Sequence, residues 1–555
     1  MNAAAPATSF AVEISFARWL GAAARVALWL AIFVLVLYPL LMVGAAALSP
    51  ALFNDQPFKL SDLLTERLFT ASMNTLRLGL AVSLLSSIIG ACAALLAWQS
   101  TGGGWIDLLM SIPFLTPPFL ASLAWSLAVG PRGYLSRLGL PSQVLENTLF
   151  SFGGMSFLMA AHYAPMVYFA ARAQISKVSP SLLWSAQISG APCARIVARI
   201  LLPMITPALL AGGFLAFAAG IEEYGTPLII GNRIGFPVIS TEIGRLITVY
   251  PINLTLASAL ASLLLALAGG VYFASYFFES HTPSSLKPSS HPIPSLLSGW
   301  IRIALSSLIG VYALLAVAVP FGSMLLTSLL RLVSAGPVLS NLTLAHYLEA
   351  VADESSGLRA ALMASLVLAL MAALLGTLLG AGCARQGKTL ASLALIPVAT
   401  PAVTMAVGFV RAWNAPWTAW LPLYGSALIV GFFYTAQYLP YAVQYARAGL
   451  SAISPSYEWA ARVHGAGPAT IMRRIIAPLL WPHCIAGAIL IFSISFRELV
   501  GSVLLRPPGM QTVATFILRE FDQGSPAAGM ALGVIAISVS MVSVSLARRL
   551  APRKS

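Results

Sequence analysis

Long apolar stretches alternate with short polar ones along almost the whole chain. Uncharged stretches of about 20 residues or more are long enough for an α-helix to cross the hydrocarbon layer, where the backbone must satisfy its own hydrogen bonds. We count twelve, with soft boundaries. They run roughly over residues 26–48, 78–98, 108–130, 148–171, 200–221, 254–278, 303–330, 360–383, 389–410, 418–446, 475–496 and 526–547. This pattern predicts an all-α polytopic membrane protein with about 12 transmembrane helices.

The first of these stretches lies where a signal peptide would lie. Its apolar run, residues 26–48, is longer than the roughly 7–15 apolar residues of a signal peptide. We therefore expect an uncleaved membrane anchor rather than a segment that is removed.

Composition supports a membrane as the solvent. The 555 residues are 59% hydrophobic and 9% charged, against about 25% charged in an ordinary soluble domain. The mean hydropathy of +0.87 excludes a soluble enzyme. The four cysteines lie far apart without a CxxC pair, so we predict neither a disulfide framework nor a thiolate metal site. We predict no cofactor and no bound metal.

The distribution of charge predicts how the chain lies in the membrane. With the stretches assigned alternately to two sides, the side of both termini carries 18 Lys or Arg against 4 acids, and the other side carries 13 against 13. The positive-inside rule makes the basic side cytoplasmic, with Arg548, Arg549, Arg553 and Lys554 in the tail. The net charge of +14 is thus a topology signal, and we predict no nucleic-acid partner.

The chain consists of two similar halves. Residues 279–300 are rich in Ser and Pro, as in a cytoplasmic linker, and separate halves 1–278 and 301–555 with six stretches each. Residues 179–203 match 454–478 without a gap, at 12 of 25 positions. Other landmarks recur 275 residues later: Tyr163, Pro165, Ala171, Arg172, Ala173 and Ser176 return as Tyr438, Pro440, Ala446, Arg447, Ala448 and Ser451. An even number of spans predicts two parallel six-helix repeats about an axis along the membrane normal, with the substrate path between them.

The best-preserved repeat is a long cytoplasmic loop at about residues 172–203 and 447–478. Its two copies contain SPSLLWSAQISGAPCARIVARILLP and SPSYEWAARVHGAGPATIMRRIIAP. Each Ser-Pro-Ser start is typical of a helix N-terminus. We expect Ala186 with Gly190, and Ala461 with Gly465, to share one helical face that lets a short helix seat closely in a partner's groove.

These loops resemble the cytoplasmic signature of the inner-membrane permeases of binding-protein-dependent ABC importers. That signature is Glu-Ala-Ala, three residues, Gly, nine residues and Ile-x-Leu-Pro. The first copy has Trp184-Ser185-Ala186, Gly190 and Ile200 to Pro203, and the second has Glu458, Trp459-Ala460-Ala461, Gly465, Ile475 and Pro478. Both copies keep the spacing, but Trp replaces the glutamate, and Glu458 stands one residue earlier in the second copy alone.

The resemblance implies a function for the whole chain. It implies a fused permease in a bacterial inner membrane, whose two loops form coupling helices on ABC ATPase subunits, one contact in each half. It also implies a periplasmic substrate-binding protein as a further partner, besides membrane lipid. The permease itself would not be an enzyme, since ATP hydrolysis would occur on the partner subunit.

The substrate is predicted from two further segments. Residues 220–243 and 496–517 resemble ferric-iron permeases, whereas related fused permeases carry thiamine, phosphonates or polyamines. A secondary transporter driven by H⁺ or Na⁺ would also explain two parallel halves. It would leave the loop signature unexplained, so we favour a ferric-iron importer.

Ionisable residues end the fifth and eleventh stretches. They are Glu222, Glu223 and Tyr224 in the first half, and Arg497 and Glu498 in the second. Glu223 and Glu498 again differ by 275 residues. Carboxylate and phenolate oxygens suit a hard cation such as Fe³⁺, so a transient relay along the substrate path is one interpretation. The other, which we favour, is that these side chains pair across the interface of the halves and hold the helices.

Two other features have simple interpretations. Residues 382–389 fit the phosphate-binding pattern GxxxxGK[ST], but they lie between two membrane stretches with no room for the strand and helix of a nucleotide domain. We therefore expect no ATP binding by this chain. The prolines of IPFLTPP and IPVATP, in the third and ninth stretches, either line the path or kink the helices.

Overall fold

The computed structural model describes residues 22–53, 55, 61, 65–100, 104–114, 116–130, 133–280, 299–353 and 357–550. Within these residues the chain is helical and has no strand beyond one isolated bridge between Leu330 and Leu342. This confirms the predicted all-α class. The linker from residue 281 to 298 and the tail residues Arg553 and Lys554 lie outside the described residues.

The helices of the first half are α1 Ala22–Leu48, α2 Glu66–Gln99, α3 Gly104–Phe114, α4 Pro118–Val129, α5 Tyr134–Arg137, α6 Ser142–Leu149, α7 Phe152–Ile175, α8 Pro180–Ile188, α9 Cys193–Glu222, α10 Ile239–Thr248 and α11 Leu254–Ser280. Those of the second half are α12 Gly299–Ser328, α13 Ala345–Ala352, α14 Gly357–Arg385, α15 Lys388–Leu393, α16 Ala402–Trp413, α17 Ala427–Ala452, α18 Pro455–Val463, α19 Pro468–Ser495, α20 Val500–Leu505, α21 Val513–Gln523 and α22 Pro526–Leu550.

Fewer helices qualify as membrane spans by composition than the twelve predicted. Among the described residues, eight are long and apolar enough, and two bent pairs raise the number to ten. The fourth and tenth predicted stretches correspond to α7 and α17, which fall outside that set. Of the 24 residues of α7, 14 are buried, as are 13 of the 26 of α17. Because neighbouring helices surround them, these two can carry polar side chains; their crossing of the membrane stays a prediction.

Both bent pairs occur at the repeated prolines. The chain turns by 86° between Gly104–Pro113 and Pro118–Arg137, and by 110° between Lys388–Ala399 and Ala402–Trp413. A threonine stabilises each bend, since Thr116 and Thr400 donate a hydroxyl hydrogen bond to the carbonyl four residues earlier, at 3.1 Å in both cases. The prolines therefore break these helices, as one of the two interpretations predicted.

Four other prolines widen a helix instead of breaking it. Pro39, Pro203, Pro320 and Pro478 each follow a five-residue π-turn that ends two residues earlier. A proline ring clashes with the carbonyl four residues before it, and in all four cases that carbonyl belongs to the π-turn. This gives Pro203 and Pro478, the last residues of the loop signature, a local structural role.

The described residues divide into two compact units that differ from the sequence halves. One unit comprises Met1–Phe53, Ala360–Ala514 and Ser538–Ser555, as far as these are described. The other comprises Asn54–Arg359 and Thr515–Ile537. The first helix of each half thus belongs to the unit formed mainly by the other half. The halves 1–278 and 301–555 describe the repeat, and their boundaries as domains stay a prediction.

In the first unit, α1 packs on α16. The Tyr38 hydroxyl donates to the Ala412 carbonyl at 3.3 Å and accepts the indole N–H of Trp417 at 2.8 Å. Gly408 lies so close to α1 that a Cβ there would lie 2.6 Å from the Pro39 carbonyl oxygen. A small residue in α16 is therefore needed for this approach.

In the second unit, α12 packs on α4 in a comparable way. The indole N–H of Trp125 donates to the Leu315 carbonyl at 3.1 Å, beside the π-turn of α12. The Tyr312 hydroxyl donates to the Ala161 carbonyl of α7 at 2.8 Å. These directed hydrogen bonds fix α1 and α12 in place, because packing between apolar surfaces alone is weakly specific.

We predict that Gly408→Ala destabilises the protein, because the added methyl group overlaps the α1 backbone. Overpacking of this kind costs about 1–3 kcal/mol. Gly44→Ala in α1 is the matched control, since its Cβ would meet nothing within 4 Å. The measurement is the thermal unfolding midpoint of the protein in detergent. Equal midpoints for the two variants would show that α1 does not pack closely at Gly408.

Candidate functional site

The two repeated loops have the same backbone structure. Each contains a nine-residue helix, α8 or α18, that ends at a glycine with positive φ, 76° at Gly190 and 77° at Gly465. The amide of Gly190 donates to Gln187, and the amide of Ala191 donates to Ala186, at 2.9 and 3.0 Å. In the second loop the Gly465 and Ala466 amides donate to Arg462 and Ala461, both at 3.0 Å. This pair of bonds is the Schellman motif, which favours glycine at its left-handed position.

This geometry corrects our expectation about the glycines. Gly190 and Gly465 lie beyond the ends of the helices, so they do not share a helical face with Ala186 and Ala461. An added Cβ at either glycine would meet nothing within 4 Å of the described chain. Glycine stands four positions after Ala186 and after Ala461 because the backbone there has a positive φ, which favours glycine.

The other predicted loop residues lie on or near the surface. In α8, Ser185 is exposed and Ala186 is half-buried. In α18, Ala460 is exposed, while Glu458 and Ala461 are half-buried. The predicted helix starts are present, with Pro180 and Pro455 as the first residues. In the second loop the Ser454 hydroxyl accepts the Ser456 amide at 3.3 Å.

Large apolar side chains stand out from both loop helices. Trp184 is 40% exposed and Trp459 71%, at the equivalent positions where the signature has glutamate. Ile188 and Val463, the last residues of α8 and α18, are each 85% exposed. In a loop on the predicted cytoplasmic side, exposed tryptophan and aliphatic side chains are typical of a protein-binding surface.

The second loop has a charged contact of its own. Glu458 lies 4.0 Å from Arg385, the last residue of α14, and 3.4 Å from Arg462 in its own helix. A cavity of about 430 Å³ adjoins this ion pair. It is lined by Ala384, Arg385, Leu450, Ile453, Ser454, Pro455, Glu458, Trp459 and Ile476.

The first membrane carboxylate, Glu223, caps a helical turn. It follows the last residue of α9, and its two oxygens accept the amides of Gly225 at 3.1 Å and Thr226 at 2.8 Å. These amides begin the next turn, Pro227–Gly231. The Ser240 hydroxyl donates to the Glu223 carbonyl at 2.7 Å. Glu223 therefore joins the broken end of α9 to the turn that follows.

Its counterpart, Glu498, does the same between α19 and α20. Its carboxylate accepts the amides of Val500, Gly501 and Ser502 at 2.8–3.2 Å. The Ser502 hydroxyl, which shares a hydrogen bond with Tyr434 at 2.6 Å, donates to the Glu498 carbonyl. A carboxylate that accepts backbone amides at a helix N-terminus makes charge-assisted hydrogen bonds and favours the positive end of the helix dipole.

These contacts give both glutamates a structural role by a means that the sequence did not suggest. We expected side chains paired across the halves or a cation relay; each carboxylate instead accepts amides of its own unit. Tyr224 is buried against Gly244. Arg497 lies within electrostatic range of Tyr438 and Tyr441. In Glu222, the Oε1 atom is buried without a hydrogen-bond partner in the described structure, within electrostatic range of Tyr163.

The segment that fits a phosphate-binding loop is mostly helical. The helix α14 continues to Arg385, and α15 begins at Lys388, so only Gln386 and Gly387 lie between them. The amides that would cradle a phosphate are part of a helix, and the preceding element is a helix where a phosphate-binding loop follows a strand. Among the described residues, no group of three or more His, Cys, Asp or Glu side chains could hold a metal ion.

The structure reveals an ion cluster that the sequence analysis missed. Glu242 in α10 is 3% exposed. It accepts hydrogen bonds from Nε and Nη2 of Arg67, the shortest at 2.8 Å, and one from Arg245 at 2.8 Å. A lone acid within the apolar run PVISTEI was the available signal. The repeat has Phe516 at this place, beside Gly357 of α14 and with the Arg519 guanidinium 4.7 Å from its ring centre, so the second half lacks the buried acid.

The chain matches one protein family and is similar to several known permeases. The family model described as "Binding-protein-dependent transport system inner membrane component" matches residues 84–278 and again 372–555, more than half of the chain. The chain is 25% identical over 511 residues to "Probable ABC transporter permease protein y4fN" of Sinorhizobium fredii, covering 86% of this chain and 87% of that protein. It is 25% identical to "Ferric transport system permease protein FbpB" of Actinobacillus pleuropneumoniae, over 85% of this chain and 69% of that protein. It is 26% identical to "Sulfate transport system permease protein CysT" of Salmonella typhimurium, over 34% of this chain and 69% of that protein.

We predict that Glu498→Ala lowers the thermal midpoint strongly, because three amides at the start of α20, two of them buried, lose their acceptor. Loss of a helix cap costs about 0.5–2 kcal/mol. Glu498→Gln, which keeps one acceptor oxygen, should lose less. The control is Asp522→Asn, an exposed acid near the end of α21. A Glu498→Ala variant as stable as this control would contradict the capping role.

Proposed function

Because this chain belongs to the family of binding-protein-dependent transport system inner membrane components, we propose that it is the fused permease of an ABC importer for ferric iron. Its family members are transport subunits of multi-pass inner-membrane systems rather than enzymes. In the proposed complex the two halves of one chain enclose the path, and both termini are cytoplasmic. A periplasmic binding protein delivers the substrate, and a pair of separate ATPase subunits supplies the energy.

The proposal for coupling rests on the two loops. Each presents an exposed tryptophan on a short helix that ends in the same glycine motif and continues into a long helix, α9 or α19. A force applied by an ATPase subunit to α8 or α18 would therefore be passed directly to a membrane helix through the π-turn before Pro203 or Pro478. Glu458, Ala460 and Ala461 in the second loop, and Ser185 and Ala186 in the first, would lie at these contacts.

The observation that favours iron is that relatives matched over both halves include ferric permeases. Two relatives whose names include ferric transport align with 85% and 83% of this chain, and so with both halves. The relative whose name includes sulfate transport is a shorter protein, aligned over 34% of this chain and 69% of its own length. A permease for the same substrate would be expected to share both sides of the path. The alternative substrates are sulfate and those of the other fused permeases, thiamine, phosphonates and polyamines.

We predict that a strain without this chain takes up radiolabelled ferric iron several-fold more slowly than its parent, while sulfate uptake is unchanged. A plasmid copy of the chain should restore iron uptake. The measurement is accumulation of each label by iron-limited cells. If sulfate uptake falls and iron uptake does not, the proposed substrate is wrong although the importer function remains.

We predict that Gly465→Val weakens association with the ATPase, while Gly465→Asn retains most of it. Both side chains fit the open space, but a β-branched residue is strained at positive φ, and asparagine tolerates that conformation. The measurement is the amount of ATPase that co-purifies with equal amounts of each variant. Equal loss in both variants would indicate that side-chain volume at a partner surface matters, as first expected, and not the backbone.

A further inference from the structure

Equivalent positions in the two halves can be assigned from packing as well as from sequence. A Cβ on Gly90 of α2 would meet Val167 and Tyr168 of α7, and one on Gly380 of α14 would meet Ala442 and Val443 of α17. The contacted residues are related by the repeat of 275 positions, so Gly90 and Gly380 are equivalent. Both helices continue without interruption, so five residues further on, Leu95 corresponds to Arg385.

The loop helices carry the matching exchange. In the gap-free match of the two loops, Leu183 of α8 corresponds to Glu458 of α18. Leu183 is fully buried in an apolar cluster, and Leu95 packs against the same cluster. In the second half the corresponding two side chains are the ion pair of Arg385 and Glu458, whose charged atoms lie 4.0 Å apart. Two leucines of one apolar cluster in the first half thus correspond to an arginine–glutamate ion pair in the second.

The loop helices α8 and α18 differ in burial, as expected if an apolar contact holds one and an ion pair the other. Pro180 and Leu183 of α8 are buried, whereas none of the nine residues of α18 is. The cavity beside Arg385 lies where the second loop lacks an apolar anchor. Both partners are partly exposed, with 39% of the Arg385 side chain and 30% of the Glu458 side chain accessible. Salt screens a pair of this kind, whereas it leaves burial of a leucine almost unaffected.

We infer that Arg385 and Glu458 are positioning residues that hold the second coupling helix against α14 by an ionic contact, while the first coupling helix is held by an apolar one. The coupling role of α18 rests on the proposed function; the anchoring of α18 by the ion pair does not. The two helices therefore respond differently to ionic strength. Arg462, the other cation beside Glu458, belongs to α18 itself and does not join it to α14.

The anchoring is tested without any partner protein. In the full chain with its four cysteines replaced, a spin label is placed at Tyr457→Cys in α18 or at the equivalent Leu182→Cys in α8, both exposed positions. We expect higher salt to increase label mobility at 457 and not at 182. Arg385→Leu should give high mobility at 457 even at low salt. Equal salt responses at the two positions, or no effect of Arg385→Leu, would overturn the inference.

The effect on coupling is tested in the complex with the ATPase. We expect Arg385→Glu and Glu458→Arg each to reduce transport-stimulated ATP hydrolysis several-fold, and the double charge swap to restore most of it. Arg462→Gln is the control, because it removes a cation from Glu458 without breaking the contact with α14. An additive loss in the double swap at normal expression would overturn the positioning role. If instead no ATPase associates with the unaltered chain, the proposed function fails while the spin-label result still stands.

Discussion

Every interruption of a helix within a membrane leaves backbone amides and carbonyls that water cannot satisfy, and the structure depends on how each is satisfied. This chain supplies the missing partners locally. Carboxylates at Glu223 and Glu498 accept the amides of the turns that follow α9 and α19. Hydroxyls at Thr116 and Thr400 donate to carbonyls at the proline bends. The breaks are therefore stable features of each half, and the short helices between them are held in defined positions.

The two halves share hydrogen bonds to the backbone at equivalent positions, but their charged side chains differ. The first amide of α10 donates to the Thr75 hydroxyl at 2.9 Å, and the first amide of α21 donates to the Ser365 hydroxyl at 2.8 Å. Near these bonds, the first half has the buried Glu242 between two arginines, whereas the second has Phe516 beside Gly357. In the loops it is the second half that has the ion pair, Arg385 with Glu458, whereas the first half has the buried Leu183. Two copies that share a fold need not share the strength of their contacts.

The sequence predicted the features that depend on local chemistry. Apolar length located ten of the twelve predicted spans, prolines located the bends, and the Ser-Pro starts located α8 and α18. It could not predict that α1 and α12 pack in the unit of the other half, because a helix that is apolar on all sides has no face that identifies its neighbour. The spacing of 275 residues showed that Glu223 and Glu498 are equivalent, but their role depends on which amides they reach after the helix ends. Likewise, positive φ at Gly190 and Gly465 follows from the Schellman bonds and not from spacing.

The capping role constrains how a cation could pass these glutamates. A carboxylate has about four acceptor sites, and those that accept amides become available to a metal ion only if buried amides are released at a cost. Of the membrane acids predicted for the path, Glu222 has a buried oxygen without a hydrogen-bond partner in the described structure. Conduction requires sites that bind weakly enough for release. Backbone amides engage the carboxylates of Glu223 and Glu498. A cation that passed them would therefore be bound weakly and transiently, and not in a chain of tight metal sites.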